Sequence, residues 1–188
     1  MLYFETKRLL LRPFVIEDAL VVQSLATNID LAKTTLHIPY PYPDGLAQQW
    51  ITIINEKMKK GSSYTFAIVL KGSLEVVGCV MLNIALNHNR GELAYWIGKP
   101  YWDNGYATEA SKCIIKFAFK DLHLNRIWAC VMKKNKPSIG VMRKVGLRHE
   151  GTFPQHVLKW GVYEDVAYYG IVKEQYEAKN SKNETTKT

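Results

Sequence analysis

The sequence predicts an α/β fold: a mixed, mostly antiparallel sheet of seven strands with helices on both faces. Three observations predict it. The chain has 188 residues, 47% hydrophobic and 22% charged, which fits one globular domain and excludes wholesale disorder. Between residues 64 and 97 three strand-like runs follow one another with short turns, so they pair antiparallel. From 92 to 131 a strand, a helix and a strand follow in order, and such a crossover requires parallel pairing.

Each element has a local reason. Residues 5–14 have an apolar bias broken by Arg12 and ended by Pro13, which reads as a strand. Glu17 and Asp18 open a helix with Leu20, Val21 and Leu25 at helical spacing, acids being favoured in a first turn. From His37 to Gly45, prolines at 39, 41 and 43 force extended backbone. Asp44 is the expected N-cap of the next helix, which runs through Trp50, Ile51 and Ile54 to a Lys59-Lys60-Gly61 stop. Strands Tyr64–Leu70 and Glu75–Leu86 flank a Lys71-Gly72-Ser73 hairpin signal, and Glu92–Ile97 follows. Gly105 opens a helix in which Ala107, Ala110, Ile114, Phe117 and Ala118 share a face. Arg126–Val131 is a strand, and Lys136–Val145 a helix with Pro137 at its start and Gly146 at its end. Arg148–Phe153 and Asp165–Val172 complete the sheet. One domain over 1–172 results, with a polar, partly disordered tail expected over 173–188.

Several functional classes drop out. No apolar run approaches the roughly 18 residues of a membrane span, and Met1–Arg8 has charges where a signal peptide carries its apolar core. Cys79, Cys113 and Cys130 form no Cys-x-x-Cys pair and read as reduced core thiols of a cytoplasmic protein. The five histidines (37, 88, 123, 149 and 156) show no metal-ligand spacing, so no metal is expected.

Charge is more informative. Lys and Arg number 25 against 17 Asp and Glu, a formal +8, which suggests an anionic partner. The segment 173–188 has four lysines against three glutamates, so the excess lies in the folded part. Between Asp121 and Glu150 there is no acid, but there are Arg126, Lys133, Lys134, Lys136, Arg143, Lys144 and Arg148. That stretch is either a solvated face or an anion site. A second feature favours the anion site: Trp102-Asp-Asn-Gly-Tyr-Ala-Thr-Glu-Ala110 lies between a strand and a helix. Its Gly105 and Ala107 allow a ligand near the free amides of a helix start, a geometry suited to phosphate.

Four segments in order now carry a family resemblance: Thr6–Arg12, Glu92–Ile97, Trp102–Ala110, and Leu124–Arg126 leading to Asn135–Ser138 and Arg143–Leu147. Together they resemble the GCN5-related N-acetyltransferases (GNAT), and within them the branch of the ribosomal-protein N-terminal acetyltransferases of RimJ/RimL type. The resemblance implies a central sheet with one splayed parallel pair and acetyl-CoA as co-substrate. It places the pantetheine arm on strand backbone near Tyr95, Trp96 and Ile97, and the pyrophosphate on amides from Asn104 through Gly105, Tyr106 and Ala107 to Thr108, with Trp102 beside them. Asn135 would hold the pantetheine or nearby backbone, and basic residues of the Lys133–Arg143 region would reach the 3′-phosphate. The chain departs from the family pattern at three points. Trp102 stands where Gln or Arg is common, Asp103 and Asn104 precede the glycine, and Met142 replaces a general-acid tyrosine.

Acyl transfer to an amine needs the amine neutral, the carbonyl polarised and the leaving thiolate protonated. Glu92 is the candidate base, or else a solvated strand-end carboxylate. Ser138 is the candidate relay to sulfur, or else a helix-start cap. Backbone amides of 92–97 would polarise the carbonyl, and direct attack in a ternary complex is expected. The acceptor pocket is assigned to the first two helices, the 37–45 loop and the 149–161 segment. Phe153 and Trp160 form its aromatic rim, and Tyr40, Tyr42 and Trp50 either line it or pack between helices. The acceptor is a primary amine, on a protein N-terminus or a small molecule; nucleic acid enters only through a ribosome-bound substrate, and the oligomer is a monomer or homodimer. Two other readings stay open: a CoA-binding fold-mate without turnover, kept open by Met142, and a basic RNA-associated module using residues 122–149.

Overall fold

In the computed structural model, which describes residues 2–185, the chain runs β1 (Phe4–Glu5), β2 (Leu9–Arg12), α1 (Ala19–Ala26), α2 (Ile29–Thr34), α3 (Leu46–Lys59), β3 (Ser63–Leu70), β4 (Val76–Ala85), β5 (Arg90–Ile97), α4 (Tyr106–Lys120), β6 (Arg126–Met132), α5 (Lys136–Lys144), β7 (Arg148–Lys159), β8 (Val162–Val172) and α6 (Lys173–Thr185). One sheet holds all the strands in the order β1-β2-β3-β4-β5-β6-β8-β7. Only β5 and β6 are parallel, as the crossover through α4 requires. No described helix is long and apolar enough to cross a membrane.

The strand count is eight, not seven. The predicted strand 5–14 breaks because the Thr6 amide donates to the Leu9 carbonyl at 2.9 Å and the Thr6 hydroxyl accepts from the Leu9 amide at 3.0 Å. The chain turns there, and Phe4–Glu5 folds back onto Leu10–Leu11. A short helix also joins the two expected near the start: the Asn28 side chain accepts from the Asp30 and Leu31 amides and caps α2. Helix α3 begins after Gly45, at φ 78°, rather than at Asp44, whose carboxylate instead accepts from Gln23. Strand β7 continues past Phe153 to Lys159 through two bulges, so the segment expected to be irregular is mostly strand, paired with β8. The polar segment from 173 begins as α6, with Tyr176 stacked on Phe119 at 4.6 Å. Residues 186–188 lie outside the described residues.

Two buried clusters sandwich the sheet. On one face α4 and α5 cover Leu9, Phe66, Val80, Leu82, Leu93, Ile127, Ala129 and Tyr169 with Ile114, Ala118, Ile139 and Met142. On the other, α1, α2 and α3 bring Val22, Leu31 and Ile51 onto Ala67, Cys79 and Trp96. Trp50 is partly buried against this second core, 5.1 Å from Phe14, as a helix-packing aromatic.

A polar clip fixes α4 to the chain start. One oxygen of Glu109 accepts from the Thr6 hydroxyl (2.7 Å) and the Arg8 amide (2.9 Å), and the other from the Arg8 guanidinium (2.7 Å). Burial alone would raise this carboxyl, but the three donors outweigh it and hold it below its ordinary value. Glu109→Ala strands these donors and is expected to lower stability by about 2 kcal/mol, read as a thermal midpoint about 5 °C lower. Because the folded-state value is depressed, this contribution is present above the ordinary glutamate range and is lost as pH falls through the folded value. The gap between wild type and variant should therefore narrow in acid.

Candidate active site

The site forms where the parallel pair comes apart. Strand β5 pairs with β6 at only three positions, Arg90 with Arg126, Gly91 with Ile127 and Glu92 with Trp128. Beyond them β5 continues to Ile97 and β6 to Met132 with facing edges that share no ladder. The outer edges are taken by β4, through Ile97, and by β8. Backbone donors and acceptors on the inner edges are therefore left for a ligand. Strand alternation divides the chemistry between two faces. Leu93, Tyr95 and Ile97 point toward α4 and α5, while Glu92 falls on the face of Trp96 and the second core.

On the helical side, α4 opens with Gly105 at φ 77°, and no side chain caps it. By contrast, asparagines cap both α2 and α5. Asn104 cannot serve, because its amide is turned back to the Tyr101 and Trp102 carbonyls at 3.2 and 2.8 Å. The first-turn amides of Tyr106, Ala107 and Thr108 thus remain free for an anion, with the helix dipole behind them. Trp102 donates to the Ile97 carbonyl at 2.6 Å and ties this loop to the end of β5. Its side chain is thereby committed to the loop. Trp96 is 8% exposed and belongs to the second core, so only its backbone can face a ligand.

Ser138 sits in the first turn of α5, whose cap is Asn135: the Asn135 oxygen accepts from the Ser138 amide (3.2 Å), and its amide group donates to the Thr34 carbonyl (3.0 Å). The capping role is therefore filled by Asn135, which leaves the Ser138 hydroxyl for another partner. That partner is the Tyr95 hydroxyl, 2.8 Å from Ser138 Oγ and also 3.1 Å from the Ser138 carbonyl. Burial pushes the Tyr95 phenol up to about 12 against the lowering effect of Ser138, so it stays protonated at neutral pH. This phenol is the functional group that sequence reasoning missed. Alternation with Leu93 and Ile97 puts Tyr95 on the helical face, but nothing local names a partner 43 residues away. Met142 is 2% exposed within the main core. Arg143 is exposed in the last turn of α5, away from Ser138 in the first.

On the opposite face Glu92 is half-buried, and its charge reaches Cys130 and Tyr168. Cys130 is half-buried rather than a core thiol, because it alternates with Ala129 and Val131 and faces away from the main core. Burial first, and then Glu92, raise its thiol to about 11, which leaves almost no thiolate at neutral pH. The 37–45 loop, with a cis Tyr40–Pro41 bond, meets the tip of the β7–β8 hairpin. Tyr40 lies 6.1 Å from Trp160, and Lys159 donates to the Ile38 carbonyl. Tyr42 is partly buried against the second core. The basic stretch is less free than its sequence suggests. Arg126 pairs with Glu150, Lys133 with Asp165 and Lys134 with Glu164, all acids from the β7–β8 hairpin.

Comparison with known proteins bears on the family and the fold. The Acetyltransferase (GNAT) domain model matches residues 8–148. The N-acetyltransferase p20 of Bacillus licheniformis is 32% identical over 173 residues, covering 91% of this chain and 96% of its own. Spermidine N(1)-acetyltransferase of Escherichia coli K12 is 27% identical over 172 residues, covering 90% and 89%. The fold superposes on that of RimL, a ribosomal L7/L12 alpha-N-protein acetyltransferase solved with coenzyme A, at a TM-score of 0.84 and 16% identity. That match covers 91% of this chain and 98% of RimL.

Proposed function

The chain belongs to the GNAT acetyltransferases, and from that premise we propose that it moves an acetyl group from acetyl-CoA directly to a primary amine. The observation that carries this reading is the parting of β5 from β6 beyond Glu92 and Trp128, next to an uncapped helix start. The free amides at 106–108 fit a diphosphate, and the open strand edges fit an amide-bearing arm. Acetyl-CoA, when bound, supplies a thioester activated toward an amine. The residues of this chain do the rest. Glu92 takes the proton of the incoming ammonium on one face. On the other, Ser138 gives a proton to the departing sulfur and recovers one from Tyr95, which solvent reprotonates, while the second proton of the nitrogen leaves to water as the amide forms.

The hydroxyl pair suits that relay. When Tyr95 donates to Ser138 Oγ, the serine proton is free to point elsewhere. The raised Cys130 and Cys79 thiols disfavour a cysteine acyl carrier, which supports direct attack. The ion pairs of Arg126, Lys133 and Lys134 weaken the nucleic-acid reading, since neutralised cations attract phosphate poorly. Free-thiol release from acetyl-CoA tests the proposal. Amine-dependent release is expected; tight acetyl-CoA binding with no amine-dependent release would instead mark a CoA-binding protein without turnover.

A further inference from the structure

The face that holds Glu92 also holds an aromatic cluster that proton transfer does not require. Trp128 and Tyr168 stack with centroids 5.7 Å apart and 14° between planes. Phe153 meets Tyr168 edge-on at 5.0 Å, and His156 lies 5.2 Å from Phe153 with Nε2 3.3 Å from the Tyr168 hydroxyl. Their strand neighbours Ile127, Ala129, Ala167 and Tyr169 are buried in the main core. The cluster itself stays open: Trp128 and Tyr168 are half-buried, and Phe153 is 50% exposed. Trp128 is the residue paired with Glu92 at the last rung before the strands part.

Charge on this face is equally selective. Glu150 and Glu164 are held by Arg126 and Lys134, so Glu92 is its carboxylate without an ion pair among the described residues. Lys159 stands nearby over the Trp160 ring, its ammonium disfavoured by burial and by the charge of Lys134. A polyamine would find one carboxylate without an ion pair for its several ammonium groups. An amine with a single charge on a flat apolar body would find Glu92 for its nitrogen and ring faces for the rest, with cation–π attraction added during entry.

Resting on the acetyltransferase reading above, we propose that the acceptor is a monoamine on an aromatic body, laid against Trp128, Tyr168 and Phe153 with its nitrogen toward Glu92. Such a group is offered either by a free arylalkylamine or by a peptide with an N-terminal aromatic residue. The test is kcat/KM by thiol release for phenethylamine, the tripeptide Phe-Gly-Gly and spermidine, in wild type, Trp128→Ala and Phe153→Ala. One aromatic acceptor should exceed spermidine at least tenfold. Both substitutions should raise its KM at least fivefold and pull the ratio to spermidine toward one. Whichever of phenethylamine and the tripeptide leads identifies the source. If Trp128→Ala fails to fold, the exposed Phe153 position decides. Preference for spermidine, or an aromatic preference that Phe153→Ala leaves intact, overturns the proposal while leaving the acetyltransferase reading standing. Absence of amine-dependent thiol release with every acceptor overturns both.

Discussion

Ser138→Ala is expected to lower kcat about 100-fold with little change in KM for acetyl-CoA, because it removes the proton delivered to the leaving sulfur. Tyr95→Phe should cost less, about tenfold, since Ser138 keeps its own proton and loses only its resupply. The double variant should be no worse than Ser138→Ala alone, which separates a relay from two independent contributions. Burial holds the Tyr95 phenol up at about 12, so it remains neutral throughout the useful range. The wild-type profile should therefore show no descending limb from this group below about pH 11. Equal losses at every pH in both single variants, additive in the double, would indicate a packing role instead.

Glu92→Gln is expected to lower kcat/KM about 100-fold at pH 7. The size of that loss should depend on pH in a way a structural defect would not reproduce. An alkyl ammonium with a pKa near 10.4 needs a base at neutral pH but sheds its proton unaided above about pH 10. The difference between wild type and variant should shrink toward that limit. A constant deficit across the range would remove Glu92 as the base. The position favours the role: Glu92 lies at the last paired rung of β5, half-buried, on the face opposite Tyr95 and Ser138. In the proposed reaction, base and acid would then approach from the two sides of the sheet and not quench each other.

Much of this was legible before folding was considered. The strand–helix–strand run from Glu92 to Val131 could only be a parallel crossover, and Gly105 marked where its helix begins. Glu92 and Ser138 stood out as polar groups at the ends of those elements. What escaped notice depends on long-range contact. Tyr95 and Ser138 meet across 43 residues, and Glu109 clips Thr6 and Arg8 across about a hundred. The acid-free stretch looked like an unbalanced cationic surface, since its counterions Glu150, Glu164 and Asp165 arrive from the later hairpin. Helix α2 has a different reason: its six residues are too few for a periodic pattern, and its Asn28 cap shows itself only in the folded chain. Strand β7 runs on from the expected end at Phe153 through Pro154, because an edge strand tolerates proline where a central one does not.

A crystal structure with bound CoA tests the assignment of the parted strands most directly. Its sulfur should lie between β5 and β6 within hydrogen-bond reach of Ser138 Oγ, with the diphosphate on the amides of Tyr106, Ala107 and Thr108. CoA bound instead against Lys133, Lys134 and Lys136, with the strand edges empty, would contradict it.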